Sequence, residues 1–548
     1  MNAAQLFVRC LEAEGAKQIF GLPGEENAQF MMALQDSPIR MILTRHEQGA
    51  AFMAEVFGRL TGQAGVCLAT LGPGAANLVT GVADGNMDRS PMVVITGQAD
   101  SKRQHKESHQ NMDVVAMFEP ITKWATPVVH PAAIPEVVRK AFKLAIAEKP
   151  GACHIELAED IAQLEATGQP RPSRKLRRPV PDDKITDQAF AAICSAKHPI
   201  ILAGNGTIRK RASKQLTRFA ERTGIGVVST FMAKGCISRH SPQCLFTIGL
   251  QSRDLVACAI DASDLVITIG YDMVEYHPRL WNPSGEKRIV HIDFLPAEID
   301  DNYYIDVEMV GDIGHSLWAL NERVAACDLK FDMSQQARVR KEMLADFAEY
   351  KDDDANGKIR PQKAIWDARA VMGPSDILLS DVGAHKMWIA RYYHCDEPNT
   401  CLIPNGFCSM GFALPGAIAA KLVYPDRRVL AICGDGGFLM NAQEMETAKR
   451  LGANIVAMVW EDGGYGMISW KQDTEFGRHS DLSFGNPDFV KLAEAFGWCG
   501  IRVDRSADLK AALSSAFECG KPALVVIPID YEENPKLTNR LGDIVCPI

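Results

Sequence analysis

Along most of the chain, short apolar runs alternate with longer stretches in which apolar positions recur at helical spacing. Lys17–Phe20, Met41–Leu43, Gly65–Leu71 and Met92–Thr96 read as strands in the first third, each delivered into a turn and then a helix-like stretch. Unbroken apolar strands suit a sheet covered on both faces, and this βα rhythm predicts a doubly wound parallel sheet. A Pro-rich basic stretch, Gln169 to Asp183, breaks the rhythm and reads as a surface linker whose Arg and Lys side chains are solvated. A second βα region follows, with strands Ile200–Ala203 and Leu265–Ile269 ending at Gly204-Asn205-Gly206 and Gly270-Tyr271-Asp272. That is the outline of a nucleotide domain, although a lone G-x-G carries little weight. A charged helical connector, Met333 to Lys358, leads to a third region with a strand at Ile377–Leu379.

The fold expected is therefore α/β, with three doubly wound parallel-sheet domains at 1–168, 185–330 and 360–532 and a polar tail at 533–548. The length of 548 residues agrees, being too great for one core. Composition excludes other classes. The net charge of −9 comes without a basic block, which argues against a nucleic-acid partner. No apolar run is long enough to span a membrane, and the N-terminal MNAAQLFVRCLEAEG reads as an amphipathic helix rather than a signal peptide. Fifteen cysteines, an odd number without a C-x-x-C pair and with Cys67 and Cys433 inside apolar strands, suggest free buried thiols in a reducing cytoplasm.

The stretch richest in chemistry runs from the strand Val429–Cys433 through Gly434-Asp435-Gly436-Gly437, a helical run Asn441–Leu451 and the strand Ile455–Trp460 to Glu461-Asp462-Gly463-Gly464. Each strand thus ends in an acid at the edge where parallel sheets bind ligands. Two carboxylates beside glycines that admit a phosphate can hold a divalent cation against a diphosphate. Either turn alone is commonplace.

Together, with Asp435 and Asp462 27 residues apart, they resemble the thiamin-diphosphate motif, with Asp462 where an Asn is usual. The resemblance extends over almost the whole chain. Arg45-His46-Glu47-Gln48-Gly49-Ala50-Ala51-Phe52, Gly72-Pro73-Gly74 with Asn77, Phe118 to Lys123, and Tyr271 to Asn282 are similar to runs in acetolactate-synthase-like enzymes, the last to their catabolic, FAD-independent branch. This implies an enzyme that uses thiamin diphosphate and Mg²⁺ to decarboxylate pyruvate and join the remaining two-carbon unit to a second pyruvate. A 2-oxo acid decarboxylase releasing an aldehyde is the alternative, and a non-catalytic binding homologue a more distant one.

By the same resemblance, Mg²⁺ would be held by Asp435, Asp462 and the carbonyl of Gly464. Glu47 would hydrogen-bond N1′ of the aminopyrimidine, which requires a desolvated acid; without the motif it reads as a helix-start acid. Met410 would wedge the two cofactor rings apart, with the backbone at Cys408 and Met410 bonding the aminopyrimidine, though a methionine is otherwise core filler. Further cofactor contacts would come from Pro23, Gly24, Pro73, Asn77, His385, Gly434, Gly436, Gly437, Tyr465, Gly466 and Met467. His109-Gln110 stands where pyruvate-decarboxylase-like enzymes place two histidines, and Thr70 where benzoylformate-decarboxylase-like enzymes place one. Both proton-donor arrangements are incomplete, which favours carboligation. Gln110, Trp470 and Lys471 are candidate substrate contacts. FAD is not expected, since Gly270 to Tyr276 replaces the basic run of flavin-containing relatives. A homodimer or homotetramer with active sites between subunits is implied as well.

Overall fold

The computed structural model describes residues 1–174, 176–209, 211–250, 255–327, 329–535 and 537. Eighteen strands form three six-stranded sheets, and every strand pairing between them is parallel. The first sheet holds β1 (Gln18–Leu22), β2 (Arg40–Leu43), β3 (Gly65–Ala69), β4 (Met92–Gln98), β5 (Trp124–Pro127) and β6 (Ala152–Ala158), in the order β2-β1-β3-β4-β6-β5. The second holds β7 (Pro199–Ala203), β8 (Val227–Ser229), β9 (Cys244–Thr247), β10 (Leu265–Ile269), β11 (Arg288–Asp293) and β12 (Val307–Val310), in the order β12-β11-β10-β7-β8-β9. The third holds β13 (Ile377–Ser380), β14 (Cys401–Leu402), β15 (Val429–Gly434), β16 (Val456–Glu461), β17 (Cys499–Arg502) and β18 (Ala523–Pro528), in the order β14-β13-β15-β16-β18-β17.

The first and third sheets share one topology, and the middle sheet has the order of a dinucleotide-binding fold. Their central strands are buried throughout, as in β3, β10 and the Val456–Trp460 part of β16, and are apolar apart from Thr268 in β10. Helices cover both faces, so the strands show no regular alternation of apolar and polar positions.

Two compact units emerge. One comprises Met1–Leu176 with Gly406–Asp426 and Phe438–Ile455; the other comprises Arg177–Asn405, Arg427–Gly437 and Val456–Ile548. Two helices from late in the sequence, Ala413–Val423 and Glu444–Leu451, thus belong with the first sheet.

One expectation needs correction. The helix expected at Asn441–Leu451 begins at Glu444, and a separate short helix, Asp435–Met440, precedes it. Asn441 lies in the break, and its buried side chain donates to the Gly411 carbonyl at 2.9 Å and to Gln48 Oε1 at 3.3 Å, a use that competes with helix continuation. At the start of the polar tail, Glu533 and Asn534 are buried, and Asn534 Oδ1 accepts from Trp388 Nε1 at 2.7 Å. Beyond residue 535 the tail, apart from Leu537, lies outside the described residues. Cys67 and Cys433 are free and buried as expected.

Candidate active site

The third sheet reverses its strand order between β13 and β15, and open α/β sheets bind ligands outside the carboxyl ends of the strands at such a point. Asp381 follows β13, Gly434 ends β15 and Asp435 begins the next helix directly. The glycines keep this crevice open. A Cβ on Gly437 would lie 2.7 Å from Asp381 Oδ2, and one on Gly436 would lie 3.0 Å from the Tyr465 ring.

Asp435 is buried and heavily solvated by protein donors. Its Oδ1 accepts from the Gly436 N–H at 2.8 Å. Its Oδ2 accepts from the N–H groups of Asp462 (3.1 Å) and Gly463 (2.8 Å) and from Asn486 Nδ2 (2.7 Å). Asp462, at the end of the adjacent strand β16, is open to solvent on one side. Protein crowded around its carboxyl, and then the charge of Asp435, push its pKa up to about 7. Two carboxylates held this close are relieved by a cation. The donors are all oxygens, the set a hard divalent ion such as Mg²⁺ prefers, so the residues present fit that group. Gly464 pairs with Ser483 in an antiparallel bridge, and a Cβ on Gly466 would lie 2.9 Å from Asp462 Oδ2.

His385 borders the same crevice, its ring 3.4 Å from where a Gly434 Cβ would stand. Burial lowers its pKa from the ordinary 6.5 to about 3, so the imidazole is neutral at physiological pH. Its buried Nε2 has no partner among the described residues, a vacancy that a phosphate oxygen or a water suits.

The first sheet reverses between β1 and β3, with Pro23-Gly24 after one strand and Thr70 to Asn77 after the other. These turns touch: a Cβ on Gly24 would fall 2.6 Å from the Thr70 side chain, whose hydroxyl donates to Glu26 Oε2 at 2.9 Å. Glu47 opens the helix Glu47–Thr61, capped by His46 Nδ1, which accepts from the Gln48 N–H at 3.1 Å. The Glu47 side chain is buried, at 6% exposure, and Oε2 accepts from Asn77 Nδ2 at 2.9 Å. Gly74 leaves space beside Oε1, where a Cβ would stand 3.3 Å away. Glu47, the G-P-G turn and Asn77 thus lie together at this edge of the first sheet.

Within this unit the Gly406–Ser409 loop leads to Met410, which is half-buried. Asp84 Oδ1 accepts from the Ser409 N–H at 3.0 Å and Asp88 Oδ1 from the Gly406 N–H at 2.6 Å, both from the helix Gly72–Met87 or its cap. Cys408, between them, has a left-handed φ of 61°. Asp84, Asp88 and Glu55 have carboxyl oxygens within 4.8 Å of one another. Burial, and then this crowding, raises Glu55 and Asp84 well above the carboxylate range. The group resembles a metal cage, but Arg59 pairs with Asp88 at 3.3 Å and the loop amides take further oxygens, so it serves to fasten the loop.

Other candidates are placed less centrally. Gln110 adopts φ 56° in an exposed turn beside His109, and its carbonyl lies 2.4 Å from where a Gly72 Cβ would stand. On the helix Gly466–Phe476, Met467 and Trp470 pack against the third-sheet core, while Lys471 is 72% exposed at its side chain and pairs with Glu475 at 2.6 Å. Two residues escaped the sequence reading. Asn486 reaches Asp435 from a Gly-Asn-Pro turn with no periodic signal. Buried Glu444 accepts from the N–H groups of Arg45 and His46, both at 3.0 Å, and looks in sequence like any acid in a helical first turn.

Three family models match this chain in succession: the thiamine pyrophosphate enzyme N-terminal TPP binding domain over residues 1–117, the central domain over 186–320 and the C-terminal TPP binding domain over 381–527. The chain is 39% identical to the catabolic acetolactate synthase of Raoultella terrigena, across 98% of this chain and 97% of that protein. It is 36% identical to an acetolactate synthase of Bacillus subtilis (99% and 97%). It is also 36% identical to a probable acetolactate synthase large subunit of Methanocaldococcus jannaschii (100% and 96%). With crevice, acids and full-length similarity in agreement, the chain belongs to the acetolactate synthase family of thiamine pyrophosphate enzymes.

Proposed function

We propose that this enzyme decarboxylates pyruvate and joins the two-carbon remainder to a second pyruvate, giving acetolactate, with thiamin diphosphate and Mg²⁺. The observation that carries the cofactor assignment is the pair of acids, Asp435 and Asp462, ending adjacent strands beside a side-chain-free crevice. Asp435, Asp462 and the Gly464 carbonyl would hold the metal, with His385 and Gly434 to Gly437 lining the diphosphate. Bound there, thiamin diphosphate supplies a nucleophilic carbon and a sink for the electrons left by CO₂.

Glu47 holds a proton at Oε1 or Oε2 for exchange with the aminopyrimidine, and Asn77 fixes the carboxyl from its other side. Glu444 secures the Arg45-His46 turn that aims Glu47. Asp84 and Asp88 hold the loop before Met410, the apolar wedge of this reading. Gln110 and Trp470 remain candidate contacts for the 2-oxo acid; the ion pair of Lys471 with Glu475 leaves it less suited to that task.

The middle domain carries no flavin in this reading, which rests on how its crevice is filled. A Cβ on Gly204 would lie 2.4 Å from the Gly270 carbonyl, so β7 and β10 turns already touch. Domain limits of 1–168, 185–330 and 360–532, a cytoplasmic location and a homodimer or homotetramer with sites between subunits complete the proposal. Sedimentation of the purified chain tests the last.

Product analysis with pyruvate, thiamin diphosphate and Mg²⁺ tests the whole. Acetolactate, detected as acetoin after acid treatment, is the expected main product. A large excess of acetaldehyde would replace this reading with a simple decarboxylase, and no product from pyruvate would point to another 2-oxo acid.

A further inference from the structure

A cavity of about 460 Å³ opens at the carboxyl edge of β4, β5 and β6, on the other side of the first sheet's centre from its β1/β3 reversal. Its polar floor is Glu156, at the end of β6, with 5% of its surface exposed. Glu156 Oε2 accepts from Gln98 Nε2 at 2.9 Å; Oε1 has no partner among the described residues. Asp113 lines the same cavity, its Oδ1 capping the short helix Val114–Phe118 through the Ala116 N–H at 2.9 Å. A third carboxylate, Asp160, stands behind Ser101, which donates to it through both N–H (3.1 Å) and hydroxyl.

The remaining side-chain donors are already used. Gln104 Nε2 donates to the Ala99 carbonyl at 2.7 Å, and Asn111 Nδ2 to the carbonyls of Gln104 and Lys106. No lysine, arginine or histidine is among the lining residues. The side-chain oxygens left to face the space are thus acceptors; burial raises the Glu156 pKa to about 7, so a cation seated there would favour its ionised form, while Val115, Val128 and Ile161 give the cavity apolar walls. The size suits a small molecule.

We propose that this cavity is a binding site for a small organic ammonium ion, with its cationic head on Glu156 and Asp113 and an aliphatic body against the valine and isoleucine walls. An anionic 2-oxo acid is repelled by the same carboxylates, so the site is separate from the one that takes substrate. It also adjoins the loop that carries His109 and Gln110. Gln98 Nε2 donates both to Glu156 and to the Met112 carbonyl (3.0 Å), so one amide group ties the floor of the cavity to the end of that loop. A bound cation orders the loop from this side.

Titration of the full-length protein with n-butylammonium chloride, followed by calorimetry and by amide hydrogen exchange, tests the inference without reference to turnover. Saturable binding is expected, with slower exchange in residues 104–113 and no binding of the neutral n-butanol. Glu156→Gln keeps the side chain's shape and should weaken binding by about tenfold or more. Val129→Trp alters an exposed residue at the mouth, so folding is not at risk, and should block entry. The proposal is overturned if butylammonium does not bind, if it binds both variants as well as the parent, or if protection appears elsewhere and not in the loop.

Discussion

The Glu275 carboxylate accepts the backbone N–H of Asn205, at 2.9 Å to Oε1 and 3.2 Å to Oε2, in the glycine turn after β7. In a dinucleotide-binding sheet, that turn offers its amides to a pyrophosphate. Here an acid of the chain itself fills the place, and Thr230 Oγ1 donates to it as well.

Purified enzyme should therefore be colourless, and a stoichiometric flavin absorption band would refute the assignment. Glu275→Ala should cost about 1–3 kcal/mol in denaturant unfolding, because it takes the Glu275 carboxyl from the buried Asn205 N–H and Thr230 hydroxyl.

At the proposed metal site, Asp435→Ala and Asp462→Ala should abolish acetolactate formation. Asn486→Ala, which removes only a donor to Asp435, should raise the Mg²⁺ concentration for half-activity by about ten- to a hundredfold, as loss of a partner behind a ligand commonly does. Activity titrations with Mg²⁺ distinguish the two classes; an unchanged Mg²⁺ requirement for Asn486→Ala means the amide does not orient Asp435.

Glu47→Gln preserves the volume and the Asn77 contact but removes the exchangeable carboxyl proton. Thiamin diphosphate should still bind, while deuterium exchange at its C2 slows by about 10²–10⁴-fold. Exchange at the parental rate would assign the activating role to another group.

His154 is fully buried in β6, its Nε2 2.8 Å from Thr96 Oγ1 and its ring stacked on Phe118 at 4.4 Å. Burial lowers its pKa from 6.5 to about 3. Below pH 6.5 the unfolded chain takes up a proton that the folded one refuses, so this residue's contribution to stability is lost as pH falls from about 6.5 towards 3. Denaturant unfolding of His154→Leu across that window should show a shallower pH slope than the parent, by up to one proton. Equal slopes would mean that the folded protein protonates His154 freely.

Much of this was readable from the chain because it depends on local pattern. The strands ending at Asp435 and Asp462 announce themselves by apolar runs broken at glycines, and the fixed spacing made the two acids one site. Boundaries were less legible where buried polar residues extend a strand: β4 runs on to Gln98, which packs inward against Glu156 and not into a turn. Asn486, 51 residues from Asp435, and Glu444, nearly 400 from Arg45, act through contacts that only the folded chain creates. No periodicity encodes them.

The distribution of the first compact unit along the gene bears on its ancestry and its engineering. A fragment ending near residue 168 would carry a complete six-stranded sheet yet lack the helices Ala413–Val423 and Glu444–Leu451. Asp84 and Asp88 would lose the Ser409 and Gly406 amides, and the turn before Glu47 would lose Glu444. The N-terminal third is therefore not a cassette to be cut out or exchanged between homologues on its own. Chimaeras should inherit residues 406–426 and 438–455 from the same parent as the first sheet, and recombination that separates them from it should yield insoluble protein.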